Sequence, residues 1–254
     1  MLLTTRKMTM VFTFLLASLP AVAMAADTLT KQQGDAILAE LKAIRALLEK
    51  QAENNVPAAA APAAAPVQPR VTLPDAEGHA ALGARDAPVT IIEFTDLQCP
   101  YCARFSAQTF PELQKKYIDT GKVRFVTRDL PLVFHAQAVP AAVAARCAGD
   151  QGKYWEYRER LFAVQQDLGG AAYSKLAADM KLDAQAFAAC RAAPGNKAAA
   201  EADRTAANAL GITGTPTFLV GTVTNGTFTG DRVTGAQPLS AFEAKIEPLL
   251  AGKK

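Results

Sequence analysis

The sequence predicts an α/β fold that carries an inserted helical subdomain, and two observations indicate this class. An apolar run over residues 89–94 is followed by a helical pattern over residues 102–117 and a second apolar run over residues 123–127. A strand, a helix and a strand in this order form a β-α-β unit, whose two strands lie parallel in one sheet. An Ala-rich region over residues 136–209 then shows helical sequence only. We therefore expect a sheet with a helical insertion.

The N-terminus has the pattern of a cleavable secretory signal over residues 1–25. Arg6 and Lys7 precede an apolar stretch, which is followed by Pro20 and the small-x-small sequence at residues 23–25. The stretch is shorter than the roughly 20 residues of a membrane-spanning helix, so an uncleaved anchor is the weaker alternative. Cleavage lowers the formal net charge from +3 to +1, and nothing in this charge indicates a nucleic-acid partner. Export predicts a periplasmic protein in an oxidising compartment.

Residues 26–55 are predicted to form an N-terminal oligomerisation helix. Within residues 32–51 the apolar positions are spaced four, three and four apart, as in a short heptad seam: Ile37, Leu41, Ile44 and Leu48. Two heptads are too few to be stable alone, so the stripe must pack on the domain or on other copies of itself. Residues 56–70 are almost entirely Ala and Pro, a composition typical of an extended spacer of roughly 45 Å. This spacer favours self-association, and residues 71–254 then form the globular domain.

The residues between the first strand and its helix carry the chemistry. Cys99-Pro100-Tyr101-Cys102 places two thiols three positions apart where a strand meets a helix. The positive end of the helix dipole lowers the pKa of the first thiol, and the thiolate is the attacking species in disulfide exchange. We expect Cys99 to be the exposed nucleophile and Cys102 the more buried resolving thiol. Zinc would need further ligands that the sequence does not offer nearby, so we predict no metal site.

The following helix is predicted to kink at Pro111, and the helical region after the second strand contains the other two cysteines. In an oxidising compartment, Cys147 and Cys190 are expected to pair in a structural disulfide, with two separate buried thiols as the alternative. Beyond the insertion, residues 216–220 and 227–228 flank Asn225-Gly226 and predict an antiparallel hairpin. An amphipathic pattern over residues 239–250 predicts the last helix.

Two motifs at this separation resemble one known family. The sequence Phe94-Thr95-Asp96-Leu97-Gln98 leads into Cys-Pro-Tyr-Cys, and Gly214-Thr215-Pro216-Thr217 precedes a later strand. Together they resemble the DsbA-like branch of the thioredoxin fold over roughly residues 82–250. The N-terminal helix and spacer are similar to those of oligomeric ScsC-type proteins, which are linked to disulfide isomerisation and copper tolerance.

The resemblance implies roles for residues around the dithiol. Thr215-Pro216 corresponds to the cis peptide of the fold, which faces the thiols and pairs with an extended substrate. Glu93 corresponds to a buried acid under the second thiol that could relay the proton of Cys102, although a solvated strand-end charge is the alternative. Tyr101 replaces a His found in relatives, which predicts a less oxidising site; its side chain is expected to contact substrate.

The remaining candidate residues have structural interpretations. His135 is expected to pack at a helix entry, and neither it nor His79 forms a metal site by itself. Tyr154, Trp155 and Tyr157 are expected to pack in the core or between subdomains.

These observations predict an exported thiol:disulfide oxidoreductase that needs no cofactor. Its expected partners are cysteine-containing exported proteins, a membrane or periplasmic redox partner, and other copies of this chain. A shared space between several dithiols favours isomerisation or reduction over the alternative of a monomeric oxidase. A hypothesis from another class is a copper(I)-handling protein that uses the two thiolates, although no Met-rich or His-rich tract supports it.

Overall fold

A computed structural model describes residues 31–54, 70–76 and 78–252 of the 254-residue chain. The predicted signal and nearly all of the predicted Ala/Pro spacer lie outside these residues. Contacts divide the chain into an N-terminal unit, Met1–Ala65, and a second unit, Pro66–Lys254. Among the described residues, no helix combines the length and apolar character that crossing a membrane requires.

The described part of the N-terminal unit is one helix, α1 (Lys31–Asn54). It contains the predicted seam, whose side chains Ile37, Leu41, Ile44 and Leu48 are 48–59 % exposed in the single chain. Self-association of this helix stays a prediction.

The second unit is built on a mixed sheet of β1 (Val71–Pro74), β2 (Ala81–Leu82), β3 (Val89–Thr95), β4 (Val123–Asp129), β5 (Thr217–Thr224) and β6 (Thr227–Thr234). The strand order is β1-β6-β5-β3-β4-β2. The central strand β3 runs parallel to β4, with Val89 opposite Val123, and antiparallel to β5. This confirms the predicted α/β class and the β-α-β unit.

The connection between β3 and β4 is divided at Thr109. Helix α2 (Pro100–Gln108) is followed by α3 (Phe110–Leu113) and a π-helical turn, Gln114–Ile118. Pro111 lies in the first turn of α3, where its missing N–H leaves no hydrogen bond unmade. In place of the predicted kink at Pro111, the helix is interrupted at Thr109, two residues before the proline.

The insertion consists of α4 (Ala138–Gly149), α5 (Tyr154–Ala163), α6 (Gly170–Asp179), α7 (Ala184–Ala192) and α8 (Pro194–Ala209), with a 3₁₀ turn at Gln165–Asp167. The hairpin β5–β6 turns at Asn225 and Gly226, which both have positive φ, and α9 (Leu239–Ala251) closes the unit. Positive φ at two successive residues is the geometry for which an Asn-Gly pair is suited.

Every residue of β3 is buried, because helices cover both faces of the sheet. Ile91 packs in a cluster with Phe105 of α2 and Phe242 of α9. Ile92, on the other face, packs in a second cluster that includes Ala207 of α8. The strand that leads to the dithiol is therefore held from both sides.

Candidate active site

Cys99 is the N-cap residue of α2, in the turn that follows β3. Its backbone is extended (φ −75°, ψ 123°), and Pro100 occupies the first helical turn. The Cys99 N–H donates to the Asp96 carbonyl at 3.0 Å, which closes the turn. Because β3 and β4 are parallel, this turn and the loop after β4 lie at the same edge of the sheet.

The two free thiols, Cys99 and Cys102, have opposite acidities. A hydrogen bond from the Cys102 thiol is the largest influence that lowers the pKa of Cys99 to about 5, and Thr215 and backbone N–H groups of α2 add to it. Burial, followed by the proximity of Cys99 and Glu93, raises the pKa of Cys102 well above its usual value. At neutral pH the first sulfur is therefore a thiolate and the second a thiol, which is the state that nucleophilic attack on a disulfide requires.

Cys99 is less accessible than the sequence predicted. The residue is only 4 % exposed, so the expectation of an exposed nucleophile is wrong for this conformation. One cause is the segment before β5: the Thr215 carbonyl lies 3.5 Å from Cys99 Sγ, and the Thr215–Pro216 peptide is cis. This segment and the dithiol thus face each other at the sheet edge.

Glu93 lies inside the protein, on the strand below the dithiol. It is completely buried, which excludes the alternative of a solvated strand-end charge, and its charge is one of the influences that raise the pKa of Cys102. Nη2 of Arg158 lies 3.0 Å and 2.8 Å from its two carboxylate oxygens. Burial raises the pKa of Glu93 despite this guanidinium. A relay of the Cys102 proton by Glu93 stays a prediction, and the relaying carboxyl would be one that also pairs with Arg158.

Arg158 was not identified from the sequence. It comes from α5 of the insertion, is 2 % exposed, and lies near the rings of Trp155 and Phe162. One signal could have found it. Trp155, Leu161 and Phe162 lie three or four positions away on the same helix face, so the arginine interrupts an apolar stripe.

The insertion also holds the dithiol turn from outside. Gln165, in the 3₁₀ turn, donates from Nε2 to the carbonyls of Leu97 and Cys99 at 3.1 and 3.0 Å. Tyr101 is exposed, with the Arg104 guanidinium 4.9 Å from its ring centroid. Its predicted contact with substrate stays a prediction.

Cys147 of α4 and Cys190 of α7 are joined in a disulfide, with their Cα atoms 5.7 Å apart. This is the pairing expected from the sequence. Asp150 also lies near these sulfurs, and the three residues would offer metal-binding atoms within 4.8 Å of one another. Both sulfurs are bonded to each other, so this cluster gives no reason to infer a metal.

The aromatic residues of α5 pack against neighbouring elements, with Tyr157 buried and Tyr154, Trp155 and Phe162 half-buried. Trp155 stacks on Phe110, with ring centroids 6.0 Å apart, and its indole N–H donates to the Ala81 carbonyl at 3.3 Å. The hydroxyl of Tyr157 donates to the Tyr173 carbonyl at 2.9 Å. These contacts agree with the packing expected from the sequence.

Comparisons with known proteins extend this description. The family model described as thioredoxin matches residues 75–236. A Na⁺/H⁺ antiporter, NhaA 1 of Salinispora arenicola, is 34 % identical over 68 % of this chain but only 25 % of its own length. Disulfide bond formation protein D of Bacillus subtilis is 37 % identical over 37 % of this chain and 43 % of its own. The chain thus spans between a quarter and a half of the length of these relatives.

Two solved structures share the fold. One is Wolbachia pipientis α-DsbA1, with 26 % identity and a TM-score of 0.64. The match covers 71 % of this chain and 94 % of α-DsbA1. The other is the catalytic domain of Proteus mirabilis ScsC, with 20 % identity and a TM-score of 0.55. The match covers 68 % of this chain and 89 % of that domain, and at this identity it shows a shared fold alone. The chain belongs to the thioredoxin family, and its fold is similar to those of the DsbA-like and ScsC proteins named above.

Proposed function

We propose that this protein is an exported, periplasmic thiol:disulfide oxidoreductase that acts on cysteines of other envelope proteins through Cys99. The observation that carries the proposal is the position of Cys99 at the N-terminus of α2, opposite the Thr215 carbonyl and one turn before the buried Cys102. The opposite acidity of the two thiols agrees with this position. The Cys99 thiolate attacks a disulfide of the client, forms a mixed disulfide and displaces one client sulfur as a thiolate. Cys102 then gives its proton to water and attacks Cys99 Sγ, which closes the 99–102 disulfide and displaces the second client sulfur as a thiolate; the two client thiolates take up protons from water. The reverse sequence oxidises a client.

Isomerisation or reduction is the direction that we favour over pure oxidation. The exposed apolar seam of α1 supports assembly of several chains, because residues such as Leu41 and Ile44 are 56 % and 50 % exposed in the single chain. Several dithiols around one space raise the effective concentration at which a client held by one dithiol meets another. A membrane or periplasmic redox partner would keep the dithiols reduced.

Refolding of scrambled ribonuclease tests both parts of the proposal. The full chain without its signal is compared with Cys99→Ala and with a chain that starts at Val71. We expect recovery of ribonuclease activity with the first, none with the second, and slower recovery with the third. Failure of the unmutated chain to exchange any disulfide would refute the enzymatic role.

The same three proteins distinguish isomerase from oxidase. Equal isomerisation by the chain that starts at Val71 would remove the role given to α1. Oxidation of reduced ribonuclease by the oxidised protein, unaffected by the truncation, would instead identify a monomeric oxidase. Sedimentation of the full and shortened chains at the assay concentration shows whether the activity follows oligomer formation.

A further inference from the structure

Asp96 connects the dithiol turn to the loop that follows β4. Its side chain is completely buried, and both of its oxygens accept hydrogen bonds. Oδ1 accepts from the Gln98 N–H at 2.7 Å, and Oδ2 accepts from the Leu132 N–H at 2.9 Å and from His135 Nδ1 at 2.8 Å. A buried carboxylate is stable only when such donors replace its hydration.

The main chain of Asp96 contacts both cysteines. Its carbonyl accepts from the Cys99 N–H at 3.0 Å, and its N–H points to Cys102 Sγ at 3.5 Å. The position of Asp96 therefore fixes where Cys99 stands relative to the first turn of α2. The N–H groups of Tyr101 and Cys102, in that turn, are among the donors that stabilise the Cys99 thiolate.

His135 supplies the only side-chain donor to Asp96 among the contacts described above. Because a carboxylate can only accept, Nδ1 of His135 must carry a proton in this contact, whether the ring is neutral or charged. The His135 N–H also bonds to the Leu132 carbonyl at 3.0 Å, so the loop that presents the ring is itself closed. The sequence-based interpretation of His135 as a packing residue misses this contact.

We infer that Asp96 and His135 form a positioning pair for the dithiol, in which His135 holds the carboxylate that sets the turn between β3 and α2. This inference deepens the proposed function and rests on it. Neither residue takes part in the transfer of electrons. Their effect is to keep the N-terminus of α2 directed at the Cys99 sulfur, so that the thiolate forms at low pH.

The chain contains a matched control for a merely structural histidine. His79 Nε2 lies 2.8 Å from Oδ1 of Asp203, the same distance as in the His135–Asp96 pair. The two histidine side chains are 19 % and 17 % exposed, and the two aspartates are 4 % and 0 % exposed. Asp203 also binds Arg128 and Arg146. Asp203 keeps both arginines when His79 is replaced, and the contacts described above for Asp96 and the two cysteines do not include His79, so His79→Leu should leave Cys99 unchanged.

The test measures the thiolate of Cys99 in the full reduced chain. Thiolate absorbance at 240 nm is followed against pH, and the rate of alkylation by iodoacetamide is measured at pH 4. We expect His135→Leu to raise the pKa of Cys99 by about one unit and to slow alkylation about tenfold, because the thiolate fraction falls in proportion. His135→Asn should stay within about twofold of the unmutated protein, since its amide nitrogen can take the place of Nδ1. His79→Leu should leave both readouts unchanged.

Three results would overturn the inference. The first is that the pKa and the alkylation rate of Cys99 are unchanged in His135→Leu, and the second is that they change equally in His79→Leu. The third is that a folded His135→Asn variant does not restore them. If His135→Leu does not fold by circular dichroism, His135→Gln replaces it, because its amide lies nearer the position of Nε2. Alkylation by a small reagent needs no protein client. The inference can therefore fail while the ribonuclease assay succeeds, and the reverse.

Discussion

Arg158→Met should be one of the most destabilising single substitutions in this protein. Arg158 is 2 % exposed and its partner Glu93 is fully buried, so removal of the guanidinium leaves a carboxylate inside the protein without its cation. Breaking a buried ion pair in this way costs about 3–5 kcal/mol. Methionine retains an unbranched apolar chain beside the rings of Trp155 and Phe162, which limits the loss of packing.

The size of this loss should depend on pH. Burial already raises the pKa of Glu93, and Arg158 is the largest influence that opposes the rise, so its removal raises the pKa of Glu93 further. A carboxyl whose pKa is raised by folding binds more protons in the native state, and stability falls as pH rises from about 4.3 towards the native pKa. The loss of stability in Arg158→Met should therefore be smaller at pH 4, where the Glu93 carboxyl is more protonated, than at pH 7.

Urea unfolding at pH 4 and pH 7 measures both effects. Trp155 is the only tryptophan of the chain and serves as a fluorescent probe. Because the Arg158 guanidinium lies 5.5 Å from the centroid of this ring, the substitution also changes the surroundings of the probe. Far-UV circular dichroism therefore serves as a second, independent probe. Lys175→Met is the control, since it breaks an exposed ion pair that contributes only about 0.3–0.5 kcal/mol.

A double-mutant cycle decides the interpretation. Glu93→Met combined with Arg158→Met removes both charges. The loss of unfolding free energy in the double variant should be smaller than the sum of the two single losses by about 2–3 kcal/mol. The reasoning is refuted if the losses add, or if Arg158→Met costs no more than Lys175→Met at pH 7.

Three further predictions concern the dithiol, the disulfide and α1. Thiolate absorbance of the reduced protein should rise as pH increases through about 5, and Cys99→Ala should abolish this step; a midpoint near the usual cysteine value would contradict the acidity described above. Replacing Cys147 and Cys190 by Ala should lower the free energy of unfolding in urea by about 4 kcal/mol, the chain-entropy value for a separation of 43 residues, and leave that absorbance step unchanged. Leu41→Asp should reduce the sedimentation coefficient of the full chain to that of a monomer, whereas Leu41→Met should not; equal sedimentation of all three proteins would argue against assembly through α1.

The elements predicted from the sequence are those whose pattern is local. Strand β3 is rich in buried apolar residues because helices cover both of its faces, and the β5–β6 turn is marked by Asn225-Gly226. Strands β1 and β2 were not predicted, since they have only four and two residues and take their structure from pairing with β6 and β4. Short edge strands carry too little periodicity to be identified without their partners.

The residues of the candidate site also fall into two groups: those that a local sequence pattern identifies and those that only distant contacts reveal. Cys99 and Cys102 lie in a local motif, and their acidity follows in part from the helix that begins between them. Arg158 and His135 could not be placed from spacing, because their partners lie 65 and 39 positions away. Each residue has a plausible structural role within its own segment, so only the packing of the insertion and of the β4–α4 loop shows its partner.

These distant contacts explain why the tetrapeptide alone does not determine the chemistry of the dithiol. The hydrogen bond from Cys102 lowers the pKa of Cys99 most, and Thr215 and the N–H groups of α2 lower it further. Burial raises the pKa of Cys102 most, followed by Cys99 and then Glu93. Arg158 holds Glu93 from within the insertion. The same Cys-Pro-Tyr-Cys sequence, placed at another strand end without these neighbours, would keep the helix dipole and the hydrogen bond between its two thiols. It would lose the contributions of Thr215 and Glu93, so the difference in acidity between the attacking and the resolving sulfur would be smaller.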